Sequence, residues 1–173
     1  YGGVSSAKTP AEAKARCSLA GPWQSDCAEA WAGDRERCSL PISDLLEVCP
    51  TDACRFAVVD NCPRQDVIQQ VDACESHAGR YAMDCVGHAM QTWLIAGPKP
   101  SEVGALMARP GRQASVIGAW AGLGLARLGE GTCEAPAEGS EPAPENVQWC
   151  LRSTTRCETE PDWCSAHWLE RHN

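Results

Sequence analysis

Twice within twenty residues the chain sets a histidine three positions after a cysteine. The stretch "CESHAGRYAMDCVGHAMQTW", residues 74 to 93, carries Cys74-x-x-His77-Ala78 and then Cys85-x-x-His88-Ala89. A third such element, Cys164-x-x-His167, lies near the C-terminus. Thiolate and imidazole are zinc's preferred donors, so Cys74, His77, Cys85, His88, Cys164 and His167 are the candidate metal ligands. Distance restricts them. On one continuous helix His77 and His88 stand about 16 Å apart, and if the helix breaks at Ala78-Gly79 they miss alignment by about 9 Å. One ion, with ligands about 2 Å away, reaches both in neither case. A metal site must therefore combine distant Cys-x-x-His elements and needs free thiols.

The same stretch offers acid–base chemistry. His77, Tyr81, Asp84 and His88 fall at i, i+4, i+7 and i+11 and line one face of an unbroken helix. There Asp84 can orient His88 as a general base, which makes a small secreted hydrolase the enzymatic alternative. The chain has no His-Asp dipeptide beside a cysteine and no glycine-rich calcium loop of the secreted phospholipase kind. It also has no Cys-x-x-Cys, no haem-attachment motif, no phosphate loop and no serine elbow. These absences remove thioredoxin-like redox chemistry, covalent haem and the familiar nucleotide and serine-hydrolase sites, and no cofactor is expected. Cysteine gaps of mostly seven to eleven residues suit bridges between helices. Copper storage would favour gaps of three or four within one helix.

Composition indicates what must position these residues. Twelve cysteines in 173 residues, an even number, point to an oxidising compartment, periplasm or extracellular space, and to disulfides. With seven tryptophans, one phenylalanine and two tyrosines, the core is built from small aliphatics, indoles and cystines. A net charge of -8 leaves no clustered Lys/Arg surface for nucleic acid. The chain opens at Tyr1 without an apolar leader and reads as a processed or trimmed mature chain. No Asn-x-Ser/Thr acceptor is present. The uncharged run "QASVIGAWAGLGLA", residues 113 to 126, is shorter than the roughly 20 residues a membrane span needs. It reads as a buried or partner-covered helix, with Gly118 and Gly122 permitting close helix approach.

Strand patterns are nearly missing, so the fold class is all-α: disulfide-stapled helical hairpins packed into one multi-helix domain. Helices are predicted over 10–19, 25–32, 43–48, 51–59, 64–77, 80–95, 101–108, 111–128, 145–157 and 161–171. Thr9-Pro10 and Thr51 signal helix starts, as does Pro161 after Glu160, and Gly97-Pro98 a stop. Residues 1–132 form the predicted main domain, with stapled hairpins over 1–96 and an apolar helical part over 97–132. The Pro/Ala/Glu-rich stretch 133–146 reads as a linker to a C-terminal helical pair, 147–173.

Facing residues of antiparallel helices have position numbers with a constant sum. A turn at Ala32-Gly33 therefore pairs Cys27 with Cys38 and Cys17 with Cys49. A turn at Gly79 sets Cys74 opposite Cys85, whereas one at 62–64 sets Cys54 opposite Cys74, with Cys62 then in the turn itself. The break at 158–161 favours Cys157 with Cys164 and leaves Cys133 to Cys150. Three stretches, 16–27, 37–49 and 74–85, each hold two cysteines ten or eleven positions apart, as duplicated hairpins would.

The spacing over residues 10 to 50, with nine residues between Cys17 and Cys27 and ten between Cys38 and Cys49, resembles the twin Cys-x9-Cys helical hairpin family of the mitochondrial intermembrane space. That resemblance implies outer-to-outer and inner-to-inner disulfides, and an assembly factor or accessory subunit in that compartment. The tryptophans add interface candidates: Trp149, Trp163 and Trp168 at the C-terminus and Trp120 beside Gly118 and Gly122. The expected function is a non-enzymatic structural or protein-binding component of an assembly, with a protein partner or a homo-oligomer and no nucleic acid. Metal carriage is the other alternative to it besides hydrolysis.

Overall fold

A computed structural model describes the chain except residues 1–3, 63–65, 110–111, 130–132, 134–143 and 170–173, and except the side chains of 167–169. The described residues form α-helices joined by turns, with no strand among them. The helices are α1 (Pro10–Ser18), α2 (Gln24–Ala32), α3 (Ile42–Leu46), α4 (Asp52–Asn61), α5 (Val67–His77), α6 (Ala82–Ala96), α7 (Pro100–Met107), α8 (Ala114–Leu128), α9 (Glu145–Thr159) and α10 (Pro161–Leu169). Their starts follow the local chemistry. Thr9 and Thr51 accept hydrogen bonds from the backbone N–H groups of Glu12 and Cys54, satisfying amides that have no partner in the first turn.

The chain divides into two compact units, 1–85 and 86–173. In the first, the core gathers Ala13, Cys17, Ala28, Trp31, Leu45 and Val58 around the cystines. Buried Trp31 keeps its indole N–H satisfied by donating to the Ala7 carbonyl at 3.0 Å. The buried Gln70 amide donates to the Val59 carbonyl at 2.8 Å, supplying a partner near the end of α4.

All twelve cysteines are paired: Cys17–Cys27, Cys38–Cys62, Cys49–Cys54, Cys74–Cys85, Cys133–Cys150 and Cys157–Cys164. Such a set points to an oxidising compartment. The expected Cys17–Cys49 and Cys27–Cys38 bonds do not form. The chain reverses at Gly21, one turn after Cys17, so Cys17 meets Cys27, and α3 is too short to serve as the second arm of a hairpin turning at Ala32-Gly33. Cys54 closes onto Cys49 and not onto Cys74, and Cys62 reaches back to Cys38.

Two of the predicted hairpin echoes share one backbone. "AGPWQSDC" (20–27) joins α1 to α2, and "AGRYAMDC" (78–85) joins α5 to α6. In each, a glycine at positive φ, Gly21 at 57° and Gly79 at 56°, opens a short 3-10 turn. An aromatic residue closes that turn, Trp23 or Tyr81, and four residues later comes the cysteine that bonds back across the corner. The third echo, 37–49, forms no such corner. The surroundings of the two corners differ. A Cβ on Gly79 would fall 2.4 Å from the Asp52 carboxyl carbon, while one on Gly21 would meet nothing within 4 Å. Gly21→Ala is therefore expected to cost about 1 kcal/mol of left-handed strain, and Gly79→Ala about twice that. Urea unfolding checks the order; equal losses would mean that Asp52 moves aside freely.

In the second unit α8 is buried along most of its length, with Ile117, Gly118, Ala121, Gly122, Leu123, Gly124 and Leu125 all inaccessible. Small residues make this possible. A Cβ on Gly118 would lie 2.1 Å from the Asn146 carbonyl oxygen, and one on Gly122 would lie 2.5 Å from that of Cys150. The two helices thus touch backbone to backbone. Asn146 is buried at that crossing and donates through Nδ2 to the Met107 carbonyl at 2.6 Å, tying α9 to the end of α7. Trp93 packs over Gly124, and its indole N–H donates to Glu102 Oε2 at 2.9 Å. The Arg127 guanidinium donates to the carbonyls of Leu94 and Ile95 at the end of α6, where a cation also complements the helix dipole. The boundary between units thus falls at Cys85/Val86. Helix α9 of the expected C-terminal pair belongs with α8, because the glycine pair lets it pack there; most of the expected linker, 134–143, lies outside the described residues.

Candidate functional site

Gly79 breaks the stretch that was to carry the chemistry. Helix α5 ends at His77, the chain turns through residues 79 to 81, and α6 starts at Ala82. The face expected of His77, Tyr81, Asp84 and His88 on an unbroken helix does not exist. Tyr81 is engaged in packing: its ring centroid lies 5.8 Å from that of Phe56, and the Arg80 guanidinium stacks 4.9 Å over it and donates to its hydroxyl at 2.9 Å. Asp84 and His88 share α6 at i and i+4, both exposed, without the burial that tunes a general base.

The metal candidates meet a covalent obstacle. Cys74 and Cys85 are bonded to each other, and Cys164 to Cys157, so none of the three is a thiolate. The side chain of His167 lies outside the described residues. Among the described residues no group of three or more His, Cys, Asp or Glu is placed to hold a metal ion. Alkylation of the denatured, unreduced protein is expected to add no mass, since no cysteine is free. Any labelled thiol in a homogeneous preparation would contradict the pairing.

The interface candidates separate into covered and open. Gly118 and Gly122 lie under the chain's own α9, and Trp120 is half-buried. Trp149 is 39% exposed on α9, with the Arg152 guanidinium 4.9 Å over its ring, and Arg156 stacks 4.0 Å over Trp163 while pairing with Glu160 at 3.3 Å. The side chain of Trp168 lies outside the described residues. No helix is long and apolar enough to cross a membrane among the described residues.

The most open apolar residues were not among the expected ones. At the first corner Leu19 is 87% and Trp23 59% exposed, beside exposed Gly21 and Pro22. Trp23 starts a stripe along α2 that continues through Asp26, Ala30 and Gly33 at i+3, i+7 and i+10. A groove of about 440 Å³ adjoins it, lined by Asp26, Glu29, Ala30, Gly33, Asp34 and Asn61. The local sequence carries no signal for this, since Tyr81, two residues after the other corner glycine, is packed on Phe56.

No family model, no curated protein and no solved structure matches this chain. The cystine connectivity also differs from the nested pairing implied by the twin Cys-x9-Cys resemblance, since Cys17 bonds Cys27 on the adjacent helix and Cys49 bonds Cys54.

Proposed function

We propose that this protein is a non-enzymatic, disulfide-stapled helical component of an assembly, exported to the periplasm or extracellular space, and that it acts by binding another protein. The observation that carries this reading is the display of large apolar side chains, Leu19, Trp23, Met83 and Trp149, on helices and corners held by cystines. A rigid scaffold presents such groups at little entropic cost on binding, and tryptophan is the residue most enriched at interface hot spots. The six cystines support the oxidising location.

Co-purification under mild crosslinking from the native source, followed by sedimentation of the isolated chain, tests the reading. A defined stoichiometric partner or a discrete oligomer is expected. A chain that stays monomeric and is recovered alone would overturn it.

A further inference from the structure

We infer that the first corner and the outward stripe of α2 form a docking surface for a basic helical segment of a partner protein, with Trp23 as its anchor. The inference rests on the assembly reading above and names the surface and the partner's chemistry.

The chain supplies its own precedent for such docking. The two corners repeat one sequence pattern and one backbone, and at the second a helix is seated: α4 places Phe56 against Tyr81, and Asp52 accepts from the Arg80 amide at 3.2 Å. At the first corner the equivalent aromatic, Trp23, stands 59% exposed, and the glycine has open space around it. Leu19, two residues before the same glycine, has 87% of its surface in water. Large apolar side chains left open beside polar groups mark interaction sites.

Charge selects the occupant. The groove along the α2 stripe that Trp23 begins is lined by three carboxylates, Asp26, Glu29 and Asp34, and among the described residues by no basic side chain. Asp34 pairs with Arg37, while Asp26 and Glu29 form no ion pair among the described residues, on a chain of net charge -8. The second corner takes its carboxylate through the Arg80 amide, but Pro22 fills that position in the first and has no N–H to give. An acidic ligand is therefore disfavoured twice, by the missing donor and by the facing carboxylates. A helix with Lys or Arg opposite Asp26 and Glu29 and an apolar side chain on Trp23 satisfies both halves of the surface, and the field steers its approach. Ala30 and Gly33 keep the middle of the stripe low enough for a helix to lie along it. The other exposed tryptophan, Trp149 on α9, already has the Arg152 guanidinium stacked on its ring, as Trp163 on α10 has that of Arg156.

The test titrates the intact, disulfide-bonded full chain with a synthetic amphipathic helix of lysine and leucine carrying one phenylalanine, followed by backbone amide NMR. Shifts confined to residues 18 to 34 and to Asn61, which lines the same groove, are expected, weakening with salt. Affinity should fall about tenfold in Trp23→Ser, as for loss of a hot-spot aromatic, and also in Asp26→Asn/Glu29→Gln. The double variant alters only exposed side chains and keeps the test valid if Trp23→Ser perturbs folding. Shifts elsewhere, indifference to both variants, or equal binding of a glutamate-for-lysine peptide would overturn the proposal. Self-association abolished by Trp23→Ser would also overturn it, giving the surface to a second copy. A native partner retained equally by Trp23→Ser would sink this surface and leave the assembly reading intact; absence of any partner sinks that reading first.

Discussion

Gly118→Ala is expected to destabilise the 86–173 unit by about 3 kcal/mol, although alanine is the better helix former. Its added methyl carbon would lie 2.1 Å from the Asn146 carbonyl oxygen and 2.7 Å from Asn146 Cα. Both are backbone atoms of α9, so relief requires the whole helix to move. That movement pulls the Asn146 amide from the Met107 carbonyl and displaces Cys150, which is bonded to Cys133. Gly104 in α7 is the control, because a Cβ there meets nothing within 4 Å. Gly104→Ala should stabilise by about 0.5–1 kcal/mol through the unfolded chain and helix propensity. Urea unfolding followed by tryptophan fluorescence measures both. Similar signs for the two substitutions would mean that α8 and α9 are not in backbone contact.

The second large effect is expected for the Cys38–Cys62 bond. It closes the longest loop of the six, with a sequence separation of 24, against 5 for Cys49–Cys54 nested inside it. Loop-closure entropy gives about 3 kcal/mol for the outer bond and about 2 kcal/mol for the inner one. The outer bond also ties down 33–41, a stretch whose regular structure is one 3-10 turn at Arg35–Arg37, capped by Asp34. The Arg37 it holds stacks 4.9 Å over Trp31 and donates to the Ser5 carbonyl at 2.9 Å. Replacing both cysteines, Cys38→Ser with Cys62→Ala, should lower the urea midpoint more than removing Cys49 and Cys54. It should also change the fluorescence of Trp31 before the main transition. The reverse order of midpoints would show that Cys38–Cys62 strains the native chain.

Helix positions were legible because their signals are local. Thr9-Pro10, Thr51 and Pro161 each start a helix, and the unpaired amides that create those preferences belong to the next few residues. The bonds Cys133–Cys150 and Cys157–Cys164 were legible for a related reason, since each spans one visible break in the chain, while Cys74–Cys85 was one of two alternatives that the sequence left open. Cys17 and Cys49 were misassigned because the choice between Gly21 and Gly33 as the reversal point depends on what packs behind each. Gly33 ends α2 with φ at -83°, so it needs no glycine conformation, while Gly21 does. At the candidate sites, the residue types were read correctly and their setting was not. The Cys-x-x-His echo is the trace of a corner, with histidines left on its outer positions, and the Gly118/Gly122 pair serves α9 of the same chain. Trp23 is not among the expected interface tryptophans because exposure of an indole is decided by the absence of neighbours, which no residue nearby announces.

Five of the six cystines join cysteines that are consecutive along the chain, and Cys38–Cys62 alone steps over another pair. A polypeptide oxidised in the order in which it emerges would make those five correctly with no template. It has one place to err: Cys38 meets Cys49 before either correct partner has arrived. The demand for disulfide isomerisation is therefore concentrated in one segment of some twenty-five residues, and the rest of the molecule can mature without proofreading.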